Sequence, residues 1–253
     1  MQGKVVIVTG ASSGIGRAAA ALFAKSGATV VAVGRNEKEL KLLVAEAKDA
    51  EGTIRAHLAD VREDSNLERI VADCIQKHKR IDVLVNSAGI IKNGTLENTT
   101  LDEWDRMMNI NLRSVFMLAQ RCLPHLIASK GNIVNVSSVA GTRAFPNVFA
   151  YCVSKAAVDQ FTRCAALELG PKGVRVNAVN PGVVVTNLHK RGGMEEQAYK
   201  AFLEHSTETH PIGRVGKPDE VAELICYLAS DKAGWITGAT YAIDGGRAET
   251  CAR

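Results

Sequence analysis

Residues 4–16 read Lys4-Val5-Val6-Ile7-Val8-Thr9-Gly10-Ala11-Ser12-Ser13-Gly14-Ile15-Gly16, and a helix-forming run, 17–22, follows. The order is a β-branched run of strand length, a glycine-rich turn and a helix. Glycines suit this turn because it is tight, because its backbone must approach a pyrophosphate, and because the helix packs directly on its strand. The helix start would present free N–H groups and a positive dipole end to the phosphates. The run therefore predicts a nucleotide site, with a merely structural turn as the alternative.

The second predicted strand, 28–33, ends at Gly34-Arg35-Asn36. This is about 20 residues past the glycines, where a carboxylate would hold the ribose of NAD. No carboxylate stands there; Gly34 leaves room, and Arg35 supplies a fixed positive fork that suits a 2′-phosphate. Glu37 is the nearest acid, and a helix cap at Asn36 with Glu37 in the first turn would explain both residues without a ligand. The pattern predicts that NADP(H) is preferred over NAD(H).

Strands and helices alternate along the chain. Further strands are predicted at 53–58, 81–85, 132–136, 174–179 and 240–243, and the helices between them include one at about 101–122. The alternation predicts an α/β fold, a Rossmann-type doubly wound parallel sheet of about seven strands with helices on both faces, as a single domain over 1–253. The ligand crevice belongs at the carboxyl ends of the strands, where Gly10, Asn86, Ser138 and Pro181 fall. The polar stretch 183–217 is predicted to be a flap over the substrate.

A tyrosine and a lysine stand four residues apart in Tyr151-Cys152-Val153-Ser154-Lys155. If this run is helical, the two side chains lie one turn apart on a single face. A lysine charge close to a phenol favours the phenolate, so the pKa of Tyr151 is predicted to fall from about 10 toward neutrality. Such a phenol could transfer protons at physiological pH. The alternative is an ordinary aromatic at a helix start with a solvated lysine beside it.

Composition excludes several classes of protein. The net charge of +4 is small for 253 residues and the basic residues are scattered, which argues against a nucleic-acid partner. The six cysteines lack Cys-x-x-Cys spacing and are predicted to be buried, reduced thiols, and the six histidines form no pair at metal-ligand spacing, so no metal is predicted. No run reaches membrane-spanning length, and the first apolar run is too short for a signal peptide. The sequence thus predicts a cytoplasmic protein that acts on a small molecule.

The motifs together resemble the short-chain dehydrogenase/reductase family over nearly the whole length, from Thr9 to Gly246. The matching pieces are Thr9-Gly10-x-x-x-Gly14-x-Gly16, Asp60, Asn86-x-Ala88-Gly89, Asn111, Ser138, Tyr151-x-x-x-Lys155 and Pro181-Gly182. Each piece is short, but their order and spacing are close to diagnostic. One departure is visible, because the family usually has Asn-Asn-Ala-Gly and Ser87 stands here in place of the second asparagine.

The resemblance implies roles for the matching residues. Tyr151 would be the general acid in reduction and the base in oxidation, Lys155 would lower its pKa and hold the nicotinamide ribose, and Ser138 would orient the carbonyl oxygen. Asn111 would keep a water in place on a proton path to Lys155. Asp60 could accept a bond from the adenine amino group or cap the next helix. The cofactor-binding residues implied are Gly10, Ser12, Ser13, Gly14, Ile15, Gly16, Arg35, Asp60, Val61, Asn86, Ala88, Gly89, Tyr151, Lys155, Pro181, Gly182, Val184 and Thr186.

The substrate is the least determined part of the prediction. Residues that could line an apolar pocket, or instead pack a short helix on the sheet, are Phe145, Pro146, Val148, Phe149, Leu188, Met194, Tyr199, Phe202 and Leu203. The resemblance is nearest to 3-oxoacyl carrier-protein reductases and to steroid or other lipophilic alcohol dehydrogenases, and it implies a homotetramer or homodimer. Two hypotheses follow, a reductase of a carbonyl on a medium-sized apolar molecule and a sensor or scaffold that binds NADP(H) without turnover.

Overall fold

In the computed structural model, which describes residues 1–250, seven parallel strands form one sheet in the order β3-β2-β1-β4-β5-β6-β7. The strands are β1 (Val5–Thr9), β2 (Thr29–Gly34), β3 (Thr53–Leu58), β4 (Val83–Asn86), β5 (Asn132–Val136), β6 (Arg175–Pro181) and β7 (Thr240–Ile243). The predicted parallel Rossmann-type sheet is confirmed, with three strands at their predicted bounds and the others shifted by one or two residues. The central strands β1, β2 and β4 are near-continuous apolar runs because both faces of the parallel sheet are covered there, whereas the edge strand β3 is mostly exposed.

Ten helices accompany the strands within residues 1–250. They are α1 (Gly14–Lys25), α2 (Glu37–Glu46), α3 (Asp64–His78), α4 (Leu101–Met108), α5 (Ser114–Ser129), α6 (Val139–Thr142), α7 (Phe149–Leu169), α8 (Leu188–Arg191), α9 (Glu196–Thr209) and α10 (Pro218–Ala229). One apolar core packs α1, α2 and α10 on a face of the sheet, and a second packs α3, α5 and α7 on the other. Together the two cores fix where the strand ends lie, and therefore where a site can form.

The sheet reverses its direction of growth between β1 and β4, which is where ligands bind in such folds. The glycine turn lies at this point and is held there by close backbone contacts. Gly10 has a φ of +69°, and a Cβ on it would lie 2.8 Å from the Ser87 carbonyl oxygen. A Cβ on Gly16 would lie 2.6 Å from the Gly10 carbonyl oxygen. Glycine is therefore required at both positions, the first to meet the turn after β4 and the second to let α1 pack on the end of β1.

The 183–217 segment is tied down at its base, between β6 and α10. The Val185 N–H donates to the Gly216 carbonyl oxygen (3.0 Å), and the Gly216 N–H donates to the Val183 carbonyl oxygen (2.9 Å). His210 is buried and accepts from the Val183 N–H at 3.1 Å. The segment carries α8 and α9, so it is more ordered than the polar sequence suggests.

None of the helices within residues 1–250 is both long and apolar enough to cross a lipid bilayer. The five cysteines of this range are free. Cys74 and Cys122 are buried as predicted, Cys152 and Cys226 are only partly buried, and the prediction is wrong for Cys164, which is exposed on α7. Cys251 lies outside the described residues.

Candidate functional site

A cavity of about 1160 Å³ opens at the carboxyl ends of the strands. It runs from Arg35 and Asp60 at one end, past the glycine turn, to Tyr151 and Phe202 at the other. Of the residues predicted to bind a cofactor, all but Asn86 line it. The lining members are Gly10, Ser12, Ser13, Gly14, Ile15, Gly16, Arg35, Asp60, Val61, Ala88, Gly89, Tyr151, Lys155, Pro181, Gly182, Val184 and Thr186. Residues spread over the sequence thus come together on one surface.

The glycine turn presents the start of α1 to the cavity. Ser13 is the N-terminal cap residue, yet its side chain makes no capping hydrogen bond, and the first helical turn carries no acidic residue. The first N–H groups of a helix lack intrahelical acceptors, and the helix dipole adds partial positive charge to them. Thr9 fixes the opposite wall, because its hydroxyl accepts from the N–H groups of Ser87 and Ala88, each at 3.1 Å. The arrangement suits an anion at the helix start.

The Arg35 end of the cavity carries more positive than negative charge. Asp60 and Glu37 are the carboxylates that line it, beside Arg35 and Lys38. Two guanidinium groups share Asp60: Arg62 donates to it at 2.7 Å, and Arg35 lies 3.7 Å away. Bonding to Arg62 lowers the pKa of Asp60, so this carboxylate is ionised at neutral pH. Glu37 is paired with Lys41 at 2.7 Å, and the Asn36 side chain caps α2 by accepting from the Glu39 N–H. Asp60 does not cap α3, since Glu63 is the cap residue there.

The predicted catalytic side chains meet at the other end. Tyr151 and Lys155 lie one turn apart on α7, and the ammonium is 5.7 Å from the centroid of the phenol ring. Lys155 Nζ donates to the Val136 carbonyl oxygen at 2.8 Å, which ties it to the end of β5. Ser138 follows that strand end and starts α6, where its hydroxyl accepts from the Ala140 N–H at 3.1 Å. All three side chains are at most 9% exposed and line the cavity.

The direction predicted for the tyrosine pKa is wrong for the protein alone. Burial raises the pKa of Tyr151 to about 12, and its interaction with Ser138 offsets only part of the rise. The pKa of Lys155 shifts the other way: burial lowers it to about 8, and the charge of Asp159 offsets only part of the fall. For both groups the cost of removing the charged form from water exceeds what the neighbouring groups offset. Tyr151 is therefore a phenol at neutral pH, suited to giving up a proton to an oxygen that becomes negatively charged.

Asn111 lies behind the cavity wall and does not line it. The helix predicted at about 101–122 is present but contains a wider turn, since α4 ends at Met108 and a π-helical turn, Asn109–Arg113, leads into α5, which continues to Ser129. The wider turn aims the Asn111 side chain at the backbone of Ile90, accepting from its N–H (2.9 Å) and donating to its carbonyl oxygen (3.0 Å). It also donates to the Ser154 hydroxyl at 3.0 Å. π-Helical turns are rare and frequent at functional sites.

The Asn86 side chain also lies behind the cavity wall, where it forms a hydrogen bond to a neighbouring strand. Its side chain donates to Asn135 at 2.9 Å, and Asn135 donates to Thr162 at 3.0 Å, which joins β4, β5 and α7. The residues after it, Ser87 to Gly89, line the cavity in its place. Ser87 does so through a turn bonded to Thr9, so the departure from the usual Asn-Asn-Ala-Gly leaves the turn intact.

Sequence reasoning missed a set of buried polar side chains behind Ser138. The Asn180 side chain donates to the Ser138 carbonyl oxygen and to Asp159 Oδ2, each at 2.9 Å. Asp159 is 1% exposed and stands one helical turn beyond Lys155. The four-residue spacing of Tyr151, Lys155 and Asp159 was the available signal, because a carboxylate inside an apolar helical run needs a partner.

Six of the nine residues proposed for an apolar pocket line the cavity, together with the polar or charged residues Arg106, Asn147, His189 and Arg247. Phe145, Pro146, Val148, Leu188, Met194 and Phe202 line the cavity. Three of the proposed lining residues are not part of the wall. Phe149 packs against Trp104 with ring centroids 6.0 Å apart, and Tyr199 is buried with its hydroxyl donating to the Thr186 carbonyl oxygen at 2.9 Å. Leu203 lies outside the lining set.

The residues present fit a nicotinamide dinucleotide. The cavity is large for a small-molecule site, which commonly has about 300–1,000 Å³. It offers an uncapped helix start for a diphosphate, an excess of guanidinium charge at the Arg35 end, and a proton donor at the far end. This order of groups along one crevice matches the order of chemical groups in the dinucleotide.

Comparison with known proteins agrees with this geometry. A family model described as enoyl-(acyl carrier protein) reductase matches residues 10–248. The chain is 40% identical over 247 residues to a 3-oxoacyl-[acyl-carrier-protein] reductase of Thermotoga maritima, covering 97% of this chain and 98% of that protein. It is 39% identical over 245 residues to an L-xylulose reductase of Caenorhabditis elegans, covering 96% and 95%.

A solved structure is similar over the same length. It is the crystal structure of a short-chain dehydrogenase/reductase of unknown function from Caenorhabditis elegans with cofactor, at a TM-score of 0.93 and 36% identity. The match covers 99% of this chain and 97% of that chain. The fold and the arrangement of strands are therefore those of that structure.

Proposed function

The chain belongs to the short-chain dehydrogenase/reductase family and is a nicotinamide-dependent oxidoreductase of alcohol and carbonyl groups, and from this premise we propose that it reduces a carbonyl on a medium-sized apolar molecule with NADPH. The observation that carries the proposal is the shared cavity of the glycine turn and the Ser138, Tyr151 and Lys155 side chains. A protein that only bound a dinucleotide would have no physical need of those three residues. We also propose that the chain is one domain.

The proposed mechanism divides the work between cofactor and protein. When bound, the cofactor supplies the hydride that reaches the carbonyl carbon. Ser138 and Tyr151 hold the carbonyl oxygen through their hydroxyls, which stabilises the negative charge that develops on it. Tyr151 donates its proton to that oxygen and becomes a phenolate, which the Lys155 ammonium stabilises. Asn111 keeps the Ile90 backbone and α7 in register, and its predicted role in a proton path remains a proposal.

Binding of the dinucleotide is proposed to use the residues already placed around the cavity. The start of α1 would hold the diphosphate, and Asp60 and Val61 would lie against the adenine. Val184 and Thr186 would fix the carboxamide, so that one face of the nicotinamide meets the carbonyl. The flap 183–217 would cover the substrate, since α8, α9 and the turn between them place Leu188, Met194 and Phe202 on the cavity.

We expect NADPH to be preferred, because basic side chains outnumber carboxylates at the ribose end: Arg35, Lys38, Lys41 and Arg62 against Glu37 and Asp60. A hydrogen-bonded charge pair contributes about 1.5–3 kcal/mol, so Arg35→Ser should lower kcat/KM for NADPH about 10- to 100-fold and change that for NADH little. Steady-state kinetics with both cofactors measures this. Arg55→Ser is the control, since Arg55 is exposed on β3 and lies outside the cavity. A wild-type kcat/KM that favours NADH would refute the preference.

The substrate class is tested by a panel of ketones, acyl thioesters, hydroxysteroids and L-xylulose, followed by absorbance of the reduced cofactor. The names of the two relatives point in different directions, to an acyl thioester and to a sugar. The apolar lining by Phe145, Val148 and Phe202 supports the acyl thioester or another lipophilic ketone. Turnover of L-xylulose alone would contradict the proposal of an apolar substrate. Tight cofactor binding with no turnover on any compound would favour a sensor.

We propose further that the protein is a cytoplasmic homodimer or homotetramer. Exposed apolar side chains lie on the long helices, including Phe116 on α5, Val153 and Leu167 on α7, and Tyr227 on α10, with Trp235 fully exposed beyond α10. Such residues favour association between copies of the chain. The free cysteines of the described range suit a reducing compartment. The mass in solution by light scattering measures the oligomeric state.

A further inference from the structure

Arg191 crosses from the 183–217 segment to the glycine turn. It is the last residue of α8, and its Nη1 donates to the Ser13 hydroxyl at 3.0 Å, a contact between residues 178 positions apart in the sequence. Ser13 is the cap residue of α1, and its hydroxyl serves Arg191 instead of the first helical N–H groups. The guanidinium therefore stands beside the uncapped helix start, on the side of the cavity formed by α8.

Arg191 is exposed to solvent, and the charges at its contact with Ser13 favour an anion. Within residues 1–250 Arg191 forms no ion pair, and the first turn of α1 holds no acidic residue. A cation next to the positive end of a helix dipole is unfavourable unless a negative group lies between them. The neighbouring basic residue differs, because Lys190 is paired with Glu196 at 2.7 Å and lies over the Tyr199 ring. Arg191 alone of the two is free to bind a ligand.

The backbone around Arg191 is held in place on both sides of the cavity. A Cβ on Gly14 would lie 3.1 Å from Thr186 Cγ2, so the start of the 183–217 segment touches the glycine turn. A Cβ on Gly192 would lie 2.7 Å from the Ile91 carbonyl oxygen, so the end of α8 touches the opposite wall. The helix thus spans the opening, and the Arg191 side chain is directed back toward α1.

From these contacts we infer that Arg191 binds the diphosphate of the dinucleotide from the side opposite helix α1. The inference rests on the proposed function, because it names a further binding residue for the same cofactor site. A guanidinium fork matches phosphate oxygens in geometry and charge. When the diphosphate is bound, Arg191 would join it to the 183–217 segment and hold that segment closed over the substrate.

The test measures binding instead of turnover. Arg191→Gln should weaken ADP-ribose, measured by calorimetry, and NADPH, measured by cofactor fluorescence, about 10- to 100-fold, since a charge-assisted hydrogen bond contributes about 1.5–3 kcal/mol. Adenosine 2′-monophosphate carries no diphosphate, so its affinity should stay within about twofold. Arg191→Lys keeps the charge without the fork and should lose less. Lys190→Gln is the matched control and should leave the affinity for ADP-ribose unchanged.

Each result separates this inference from the proposed function. If Arg191→Gln binds ADP-ribose as the wild type does, Arg191 is not a diphosphate ligand, although the enzyme remains a reductase. Equal losses for ADP-ribose and adenosine 2′-monophosphate would also overturn the inference, because they would indicate general damage to the segment. Failure of the wild-type protein to bind ADP-ribose or NADPH would contradict both proposals.

Discussion

Replacing Tyr151 by phenylalanine is expected to lower kcat by about 10²- to 10⁴-fold, the range attributed to general acid catalysis. The phenol hydroxyl is the proton donor we propose, and it lies on the same cavity as Ser138 and Lys155. The dissociation constant for NADPH should change by no more than a few fold, because the ring, the helix and Lys155 remain. Stopped-flow measurement of the hydride step and fluorescence titration of the cofactor check the two parts separately.

A second tyrosine provides the control. Tyr227 lies half-exposed on α10, outside the cavity, so Tyr227→Phe should leave kcat and cofactor affinity unchanged. Retention of a tenth or more of the wild-type kcat by Tyr151→Phe would show that another group donates the proton. Burial holds the pKa of Tyr151 near 12, so the reductive reaction should not decline through loss of the phenol proton anywhere near neutral pH. A decline beginning near pH 8 would instead report Lys155.

The fold could be predicted because its signals are local. A buried parallel strand is a short apolar run with a turn after it, and β1, β4 and β5 show this pattern. The glycine turn could be placed because only glycine permits the contacts at Gly10 and Gly16. Strand ends in a parallel sheet lie at one edge, so the positions of Ser138 and Pro181 followed from the same reasoning.

What escaped prediction depends on partners that are distant in the sequence. The π-helical turn at Asn109–Arg113 follows from bonds between Asn111, Ile90 and Ser154, and nothing in the helical run itself indicates it. The contact of Arg191 with Ser13 likewise needs the path of the 183–217 segment. Spacing placed Lys155 near Tyr151 but could not give the depth of burial, which reverses the sign of the tyrosine pKa shift.

That depth of burial also gives the last prediction, in which one substitution removes activity and adds stability. Lys155→Met should lower kcat at least about 100-fold, since the phenolate loses its cation. Methionine has a similar length and no charge to desolvate. Lys155 is 5% exposed and burial lowers its pKa to about 8, so at pH 7 the folded protein holds a costly buried charge. The lost hydrogen bond to the Val136 carbonyl oxygen offsets part of this gain, so the free energy of unfolding of the variant should rise by about 1–2 kcal/mol.

The pH dependence distinguishes this origin from other causes of stabilisation. Between about pH 8 and about pH 10.5 the unfolded wild type binds the lysine proton and the folded protein does not, so wild-type stability rises with pH in that window. The advantage of Lys155→Met should therefore be greatest below pH 8 and shrink toward pH 10.5. Urea unfolding of both proteins at one subunit concentration measures the difference, and Lys172→Met, at an exposed turn, should show neither effect. Two outcomes would contradict this origin: a variant less stable than wild type at pH 7, or a stability difference that does not change with pH. Either would mean that burying the charged Lys155 beside Tyr151 does not destabilise the folded protein.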